Sequence, residues 1–328
     1  MSKNQVWGIY APYIRQFIEL KRGLGFKYVT EEFIYLRFDQ FTVERGETEI
    51  GISKELADKW CERWRNESDS YRFHRCLCLS QLSSYLCKLG IRSYIPRIPR
   101  IQSTFIPYIF SKEEMAAIFN AADALVFPRR VMNSMIFVVP VLLRFLYGTG
   151  LRIGEALSLQ NKDVNLIENY ILIRDSKNGK QRMIPIMESL SAVCQDYISH
   201  REKLPVLQSD DRPFFMTLNG GACLQKTFQR YFRIVLRAAG IPYTGNWHGP
   251  RIHDIRHTFS CHALAKMAES GVDLYASLPV LSTYLGHQSL QSTNAYVRLT
   301  AAMYPRLLKD IDMVCMNVFP NIKNHEAD

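Results

Sequence analysis

Three prolines, Pro96, Pro99 and Pro107, fall within the stretch YIPRIPRIQSTFIPYI. Each lacks a backbone N–H and pushes the residue before it out of helical geometry, so no helix can run through this stretch. The chain is thereby cut in two, and each side must bury a core of its own. With 328 residues, both parts have the size of ordinary domains. We take residues 1–95 as one helical domain, 96–109 as a basic, proline-rich linker, 110–304 as a second domain and 305–328 as a C-terminal tail.

The first hundred residues carry apolar side chains at helical spacing, with Gly or Asn between the runs. The pattern predicts four helices. One covers Tyr13 to Arg22. A second follows Thr30, with Phe33, Ile34, Phe38 and Phe41 on one stripe. A third starts at Ser53 as N-cap and carries Ala57, Trp60 and Trp64 on one face. The fourth aligns Cys78, Leu82, Leu86 and Leu89 and stops at Gly90.

After the linker, Ser111 and Glu114 stand at capping-box spacing before MAAIFNAADAL, so a new helix begins there. The remainder reads as helical with one β element. NYILIRD and QRMIPI alternate in the manner of strands, and Asn178-Gly179 between them is a hairpin signal that places Lys177 and Lys180 beside its tip. PFFMT is a short apolar run. Lys226 to Ala239 reads as a helix closed by Gly240, and the chain beyond His253 as helices stopped by Gly271 and Gly286. The fold class is thus mainly α with a small β-sheet or hairpin.

The 41 basic residues against 31 acidic give a net charge of +10, which suits a polyanionic partner. Arg63, Arg65, Arg72, Arg75, Arg97 and Arg100 continue that charge from the first domain through the linker, with Trp64, Tyr71 and Phe73 interleaved. Such a run is either a solvated face or a clamp on a nucleic-acid backbone. The N-terminus has no apolar signal core and no stretch is long enough to span a bilayer, so a cytoplasmic protein with no membrane partner is expected. Eight cysteines without CxxC pairs are read as small buried hydrophobes, without disulfides or a cysteine metal site.

The densest polar cluster is His253-Asp254-Ile255-Arg256-His257. His253 and Arg256, three apart on a helix, share a face that could hold a phosphate between an imidazole and a guanidinium. His253 and His257 are also spaced for a metal, but Asp254 stands where such helices keep Glu, and Arg256 would repel a dication. Arg152, in GTGLRIGEALSLQ, lies where Gly148 and Gly150 end one helix and another starts. Its charge there suits an anion, and Glu155 one turn on could orient it or merely pair with it. His287 follows the stop at Gly286, and Tyr296 lies on a short helix starting near Ser289.

Arg152 in GTGLRxxE, Lys177 on a hairpin, His253-x-x-Arg256, His287 in LGH and Tyr296 on a short helix, in this order, resemble the tyrosine recombinase family, also called the phage integrase family. The four-helix domain and basic linker are similar to that family's core-binding domain, and the second domain to its catalytic domain. In plan the chain is similar to the simple two-domain members. The resemblance implies that Tyr296 attacks a scissile phosphodiester to give a 3′-phosphotyrosine, and that strand exchange proceeds through a Holliday junction. Arg152 and Arg256 would hold the non-bridging oxygens, with Glu155 supporting the first. Lys177, or Lys180 beside it, would protonate the leaving oxygen, His253 would assist proton transfer and His287 would bond the phosphate. No metal or other cofactor is implied. A phenol with a pKa near 10 needs such help at neutral pH. The implied partner is double-stranded DNA with inverted-repeat core sites, bound in the nucleoid by a homotetramer that admits accessory or partner recombinases; the tail either docks into a neighbouring protomer or folds back on its own domain. The reading is a site-specific recombinase, an integrase or transposase of a mobile element; the alternatives are a Xer-like resolvase of DNA dimers, a type IB topoisomerase-like enzyme or an inactive DNA-binding regulator of the same fold.

Overall fold

Ser53 and Ser68 begin two of the four helices of the first unit, each hydroxyl accepting the backbone N–H three residues on, from Leu56 at 3.0 Å and Tyr71 at 3.2 Å. Each bond satisfies one of the orphan donors of a first helical turn. The computed structural model describes residues 8–100, 106–126, 134–174, 181–207, 209–243 and 249–287, with Thr293, Tyr296, Leu299 and Thr300 of a following helical stretch and Leu274 and Tyr275 by backbone alone. The chain divides into two compact units, Met1–Phe105 and Ile106–Asp328, described in turn.

The first unit is built from α1 (Ala11–Gly23), α2 (Val29–Glu44), α3 (Lys54–Cys61) and α4 (Asp69–Lys88). Phe17, Tyr35, Phe38, Trp60, Leu82 and Leu86 fill its core. Several expectations need correction. Phe33 is exposed, and Ile34, Tyr35 and Phe38 form the buried stripe of α2. α3 ends at Cys61, so Trp64 lies beyond it, edge-on to Trp60 at 5.2 Å. Leu89 is exposed, outside the seam of Cys78, Leu82 and Leu86. Just before the linker, Tyr94 N–H donates to Ile52 C=O at 2.7 Å, and Pro96 at its start is buried.

Arg75 is the main correction to the basic set. It is fully buried, its guanidinium 3.8 Å from the Trp64 ring centroid and paired with Glu67 at 2.9 Å. A buried guanidinium needs a carboxylate and spare acceptors, and here Glu62 C=O supplies one more at 2.8 Å. Burial raises the Glu67 carboxyl's pKa, but the bonds from Arg75 and Trp64 N–H outweigh it and hold the group below its usual range. Arg72 is half-buried with its Nε bonded to Cys61 C=O at 3.0 Å, whereas Arg63, Arg65, Arg97 and Arg100 are exposed, Arg63 alongside Asp69.

The second unit opens with α5 (Lys112–Asp123), whose Ser111 and Glu114 make both bonds of the capping box, at 3.1 and 2.8 Å. α6 (Val139–Thr149) is apolar nearly all round, as a helix surrounded by others must be. Packed on it are α5, α7 (Ile153–Leu157), α8 (Glu188–Arg201), α9 (Gln225–Ala238) and α10 (Ile252–Glu269), and α11 (Leu274–Leu285) packs on α10. The β element is a three-stranded antiparallel sheet rather than a lone hairpin: β1 (Val164–Asn165), β2 (Tyr170–Ile173) and β3 (Arg182–Pro185), with Ile173 opposite Arg182. The tip with Lys177 and Lys180 lies outside the described residues, as do residues 305–328. In the PFFMT run Phe214 to Thr217 are buried, but Pro213 and Met216 make isolated bridges, to Gln160 and Ala222. Among the described residues no helix is long and apolar enough to cross a membrane.

Candidate active site

α6 ends because Gly150 adopts a left-handed backbone, φ +61°, which an L side chain resists and where a Cβ would stand 2.3 Å from Phe259. The chain turns there and delivers Arg152 to the start of α7. Glu155, one turn on, reaches back: its Oε2 accepts Arg152 N–H at 3.1 Å and its Oε1 the Arg152 Nη1 at 2.8 Å. The same carboxylate accepts from Arg182 of β3, at 3.0 and 3.3 Å, and Arg182 Nε donates to Tyr284 C=O at 3.0 Å. Glu155 is buried, which alone would raise its pKa, but the two guanidiniums outweigh burial and hold it below the usual carboxylate range.

Arg256 of α10 is fully enclosed. Nη1 donates to Gly150 C=O at 2.8 Å and Nη2 to Leu285 C=O at 2.7 Å, with His287 Nε2 at 3.1 Å from Nη2. It therefore ties the ends of α6 and α11 to the middle of the site. Burial and the nearby Arg152 lower its pKa to about 10, still well above neutrality, so it is cationic. His287 Nδ1 lies 2.8 Å from Thr293 Oγ1.

Tyr296 is buried, its ring 6.1 Å from that of His287 and nearly parallel to it. Its hydroxyl lies 3.0 Å from His257 Nδ1, and Arg256 and Ser260 also reach the phenol. Burial raises its pKa, and Arg256 pulls the other way. His253, Arg256, His257 and Ser260 recur at i, i+3, i+4 and i+7, so one stripe of α10 faces the phenol. His253 packs edge-on against His257, ring centroids 4.7 Å apart. Burial first and the surrounding arginines second push His253 down to about 4 and, with Arg256 leading those cations, His287 to about 4. His257 is pushed to about 3 by burial, His253 and Arg256.

Arg152, His253, Arg256, His287 and Tyr296 thus meet in one place with Glu155 beneath the first arginine. Lys177 falls outside the described residues. Two residues at the site carry roles not read from the sequence. Arg182 shares the inward face of β3 with Ile184, and an arginine at an inward position of an alternating strand must find a carboxylate there. His257, spaced from His253 as a metal ligand would be, contacts the phenol, while Asp254 accepts the Arg251 N–H at 2.7 Å. Among the described residues no group of three His, Cys, Asp or Glu is placed to hold a metal. The described cations Arg152, Arg182 and Arg256 stand against the single carboxylate Glu155, and the three histidines are neutral near pH 7. Such a pocket attracts an anion and places a phenol beside it.

A model of the phage integrase family matches residues 109–303. The chain belongs to that family: it is a tyrosine recombinase, an enzyme that cleaves and rejoins DNA strands. Among relatives, the Sinorhizobium fredii protein named "Putative integrase/recombinase y4rB" is 32% identical over 90% of this chain and 94% of its own. Tyrosine recombinase XerA of Pyrococcus furiosus is 29% identical over 69% of each chain. Of solved structures, XerH recombinase bound to palindromic difH substrate superposes with a TM-score of 0.63 at 21% identity, covering 84% of this chain and 77% of that one. The Tn1549 transposon integrase in complex with transposon right end DNA gives 0.61 at 17%, covering 90% and 99%.

Proposed function

We propose that Tyr296 is the nucleophile of site-specific strand exchange, forming a 3′-phosphotyrosine and freeing a 5′-hydroxyl. Arg152 and Arg256 take the two non-bridging oxygens, and their charge stabilises the pentacoordinate transition state. Glu155, with Arg182 behind it, fixes Arg152 in place. His287 joins Arg256 at the phosphate, and Lys177 protonates the departing 5′-oxygen. A tyrosyl phosphodiester keeps the energy of the broken bond, so resealing needs no nucleotide. The observation that carries the reading is the buried Tyr296 hydroxyl enclosed by α10 beside Arg256.

The substrate is double-stranded DNA with inverted-repeat core sites, gripped through exposed arginines such as Arg63, Arg65, Arg97 and Arg100. Four copies act in pairs through a Holliday junction in the cytoplasm, associated with the nucleoid. The element is a mobile one: likeness to y4rB over 90% of this chain supports an integrase or transposase. Likeness to XerA supports dimer resolution as the second reading.

The test is a nicked suicide duplex, cut from sites the full chain selects out of a random pool, incubated in EDTA. A covalent adduct that Tyr296→Phe abolishes is the expected result. Adducts that persist in that variant, or that require a metal, would overturn the assignment. Deletion rather than insertion as the dominant product between two such sites would favour the resolvase.

A further inference from the structure

We propose that His257 is the group that takes the hydroxyl proton of Tyr296 during attack, and that it becomes competent only when a DNA phosphate lies against Arg152 and Arg256. This rests on the reading of Tyr296 as nucleophile. Of the three imidazoles at the site, His287 has both nitrogens occupied, by Arg256 and Thr293. His253 lies edge-on against the His257 ring. Of the three, only His257 bonds the phenol, Nδ1 to Oη at 3.0 Å, and Arg256 and Ser260 also reach that hydroxyl. A general base must stand within hydrogen-bond reach of the proton it removes, and this one does.

The charged and titratable groups around His257 are Arg256 and His253 on its own helix, Arg251 just before it and His287 following α11, with Tyr296 opposite. In the free protein these neighbours and burial keep the imidazole neutral and weakly basic, while burial raises the phenol's pKa. Proton transfer is then uphill and the nucleophile rests. A phosphodiester carries one negative charge. Placed against Arg152 and Arg256, it cancels part of the field that weakens His257 and strengthens the base where it is needed. The Tyr296 Oη–P bond then forms as the P–O5′ bond breaks. The phenolic proton moves to Nδ1, and the departing oxygen takes its proton from the general acid. In resealing the protonated imidazole returns its proton to Oη. The device would keep the enzyme from attacking anything but a phosphate seated on both arginines.

The test compares the full chain with His257→Ala, His257→Gln and Tyr296→Phe on the nicked duplex described above, by the rate of adduct formation from pH 6 to 9. His257→Ala should bind the duplex as well as wild type and cleave about 100-fold more slowly near pH 7. The deficit should shrink as pH rises, because hydroxide can take the proton instead. Gln fills the same volume and can accept the hydrogen bond without accepting the proton, so it should stay slow even if the alanine variant folds poorly. Full rate in either variant, or a deficit independent of pH, overturns the proposal. No adduct with wild type, or one persisting in Tyr296→Phe, fails the reading beneath it and the proposal together. In Tyr296→Phe, the ¹⁵N titration midpoint of His257 should rise by about one pH unit or more on duplex binding. An unmoved midpoint overturns the arming by phosphate.

Discussion

Arg75 and Arg65 lie ten residues apart in one basic run, yet physics assigns them opposite work. Arg75 is enclosed by Trp60, Trp64 and Glu67, with ring centroids 5.2 and 3.8 Å from its guanidinium. Removing it leaves a buried carboxylate without its partner, so Arg75→Ala should lower stability by about 3–5 kcal/mol in a denaturant melt. Arg65 is exposed. Arg65→Ala should leave the melting temperature unchanged and reduce the salt slope of duplex binding by about one. If Arg65→Ala melts early while Arg75→Ala melts normally, the two roles are reversed. The sequence could not separate them, because a run of arginines states charge and not direction. What decides is whether a helix turns the residue toward a carboxylate, and Glu67 sits in the loop after α3 that periodicity does not describe. Around the phenol, by contrast, Arg152, His253, Arg256, His287 and Tyr296 stand out in the sequence through an order that resembles the phage integrase family, and the structure brings them together. His257 was present in the same five-residue cluster, and only the direction of the α10 stripe shows that it touches the Tyr296 phenol.

At the level of elements, the site hangs on how α6 stops. Gly150 supplies the left-handed turn, its carbonyl receives Arg256, and two residues on Arg152 is the N-cap of α7. Gly150→Ala must strain the backbone and drive a methyl group into Phe259, so it should lower the melting temperature and slow cleavage together, since both arginines are referenced to that turn. Gly154→Ala is the control: nothing lies within 4 Å of the added carbon, and alanine in α7 should stabilise by about 0.5–1 kcal/mol. Equal melting temperatures for the two variants would show that the turn is not the constraint. Helix existence was legible here because caps and glycine stops are local, as Ser53, Ser111 and Gly150 illustrate. Strand β1 was not: two residues pair only because β2 happens to lie beside them, and that is a tertiary fact.

For the whole molecule, the two units should respond differently to acid. In the second unit, His253, His257 and His287 have folded pKa values of about 4, 3 and 4 against an ordinary 6.5, chiefly through burial and then the neighbouring cations. A base whose folded pKa is depressed binds fewer protons folded than unfolded, so stability rises with pH across the interval and falls as pH drops below 6.5. The first unit contains one histidine, His74, which is exposed. Each unit also buries one aspartate whose pKa is raised, Asp39 and Asp254, mainly by desolvation; these favour the folded form at lower pH and are common to both. The lowered carboxylates Glu67 and Glu155 lose their contribution only below their ordinary 4.5. Between pH 6.5 and 4.5 the histidines therefore dominate the difference. Native-state hydrogen exchange on the full chain should show α6 and α10 losing protection across that window while α2 and α4 keep theirs. A bound duplex should delay the loss, since a phosphate beside the arginines raises the proton affinity of the imidazoles in the folded state. Equal acid sensitivity of the two units, or no protection by DNA, would mean that these histidines are not held neutral by their surroundings, and the phosphate-dependent proton acceptor proposed for Tyr296 would lose its electrostatic basis.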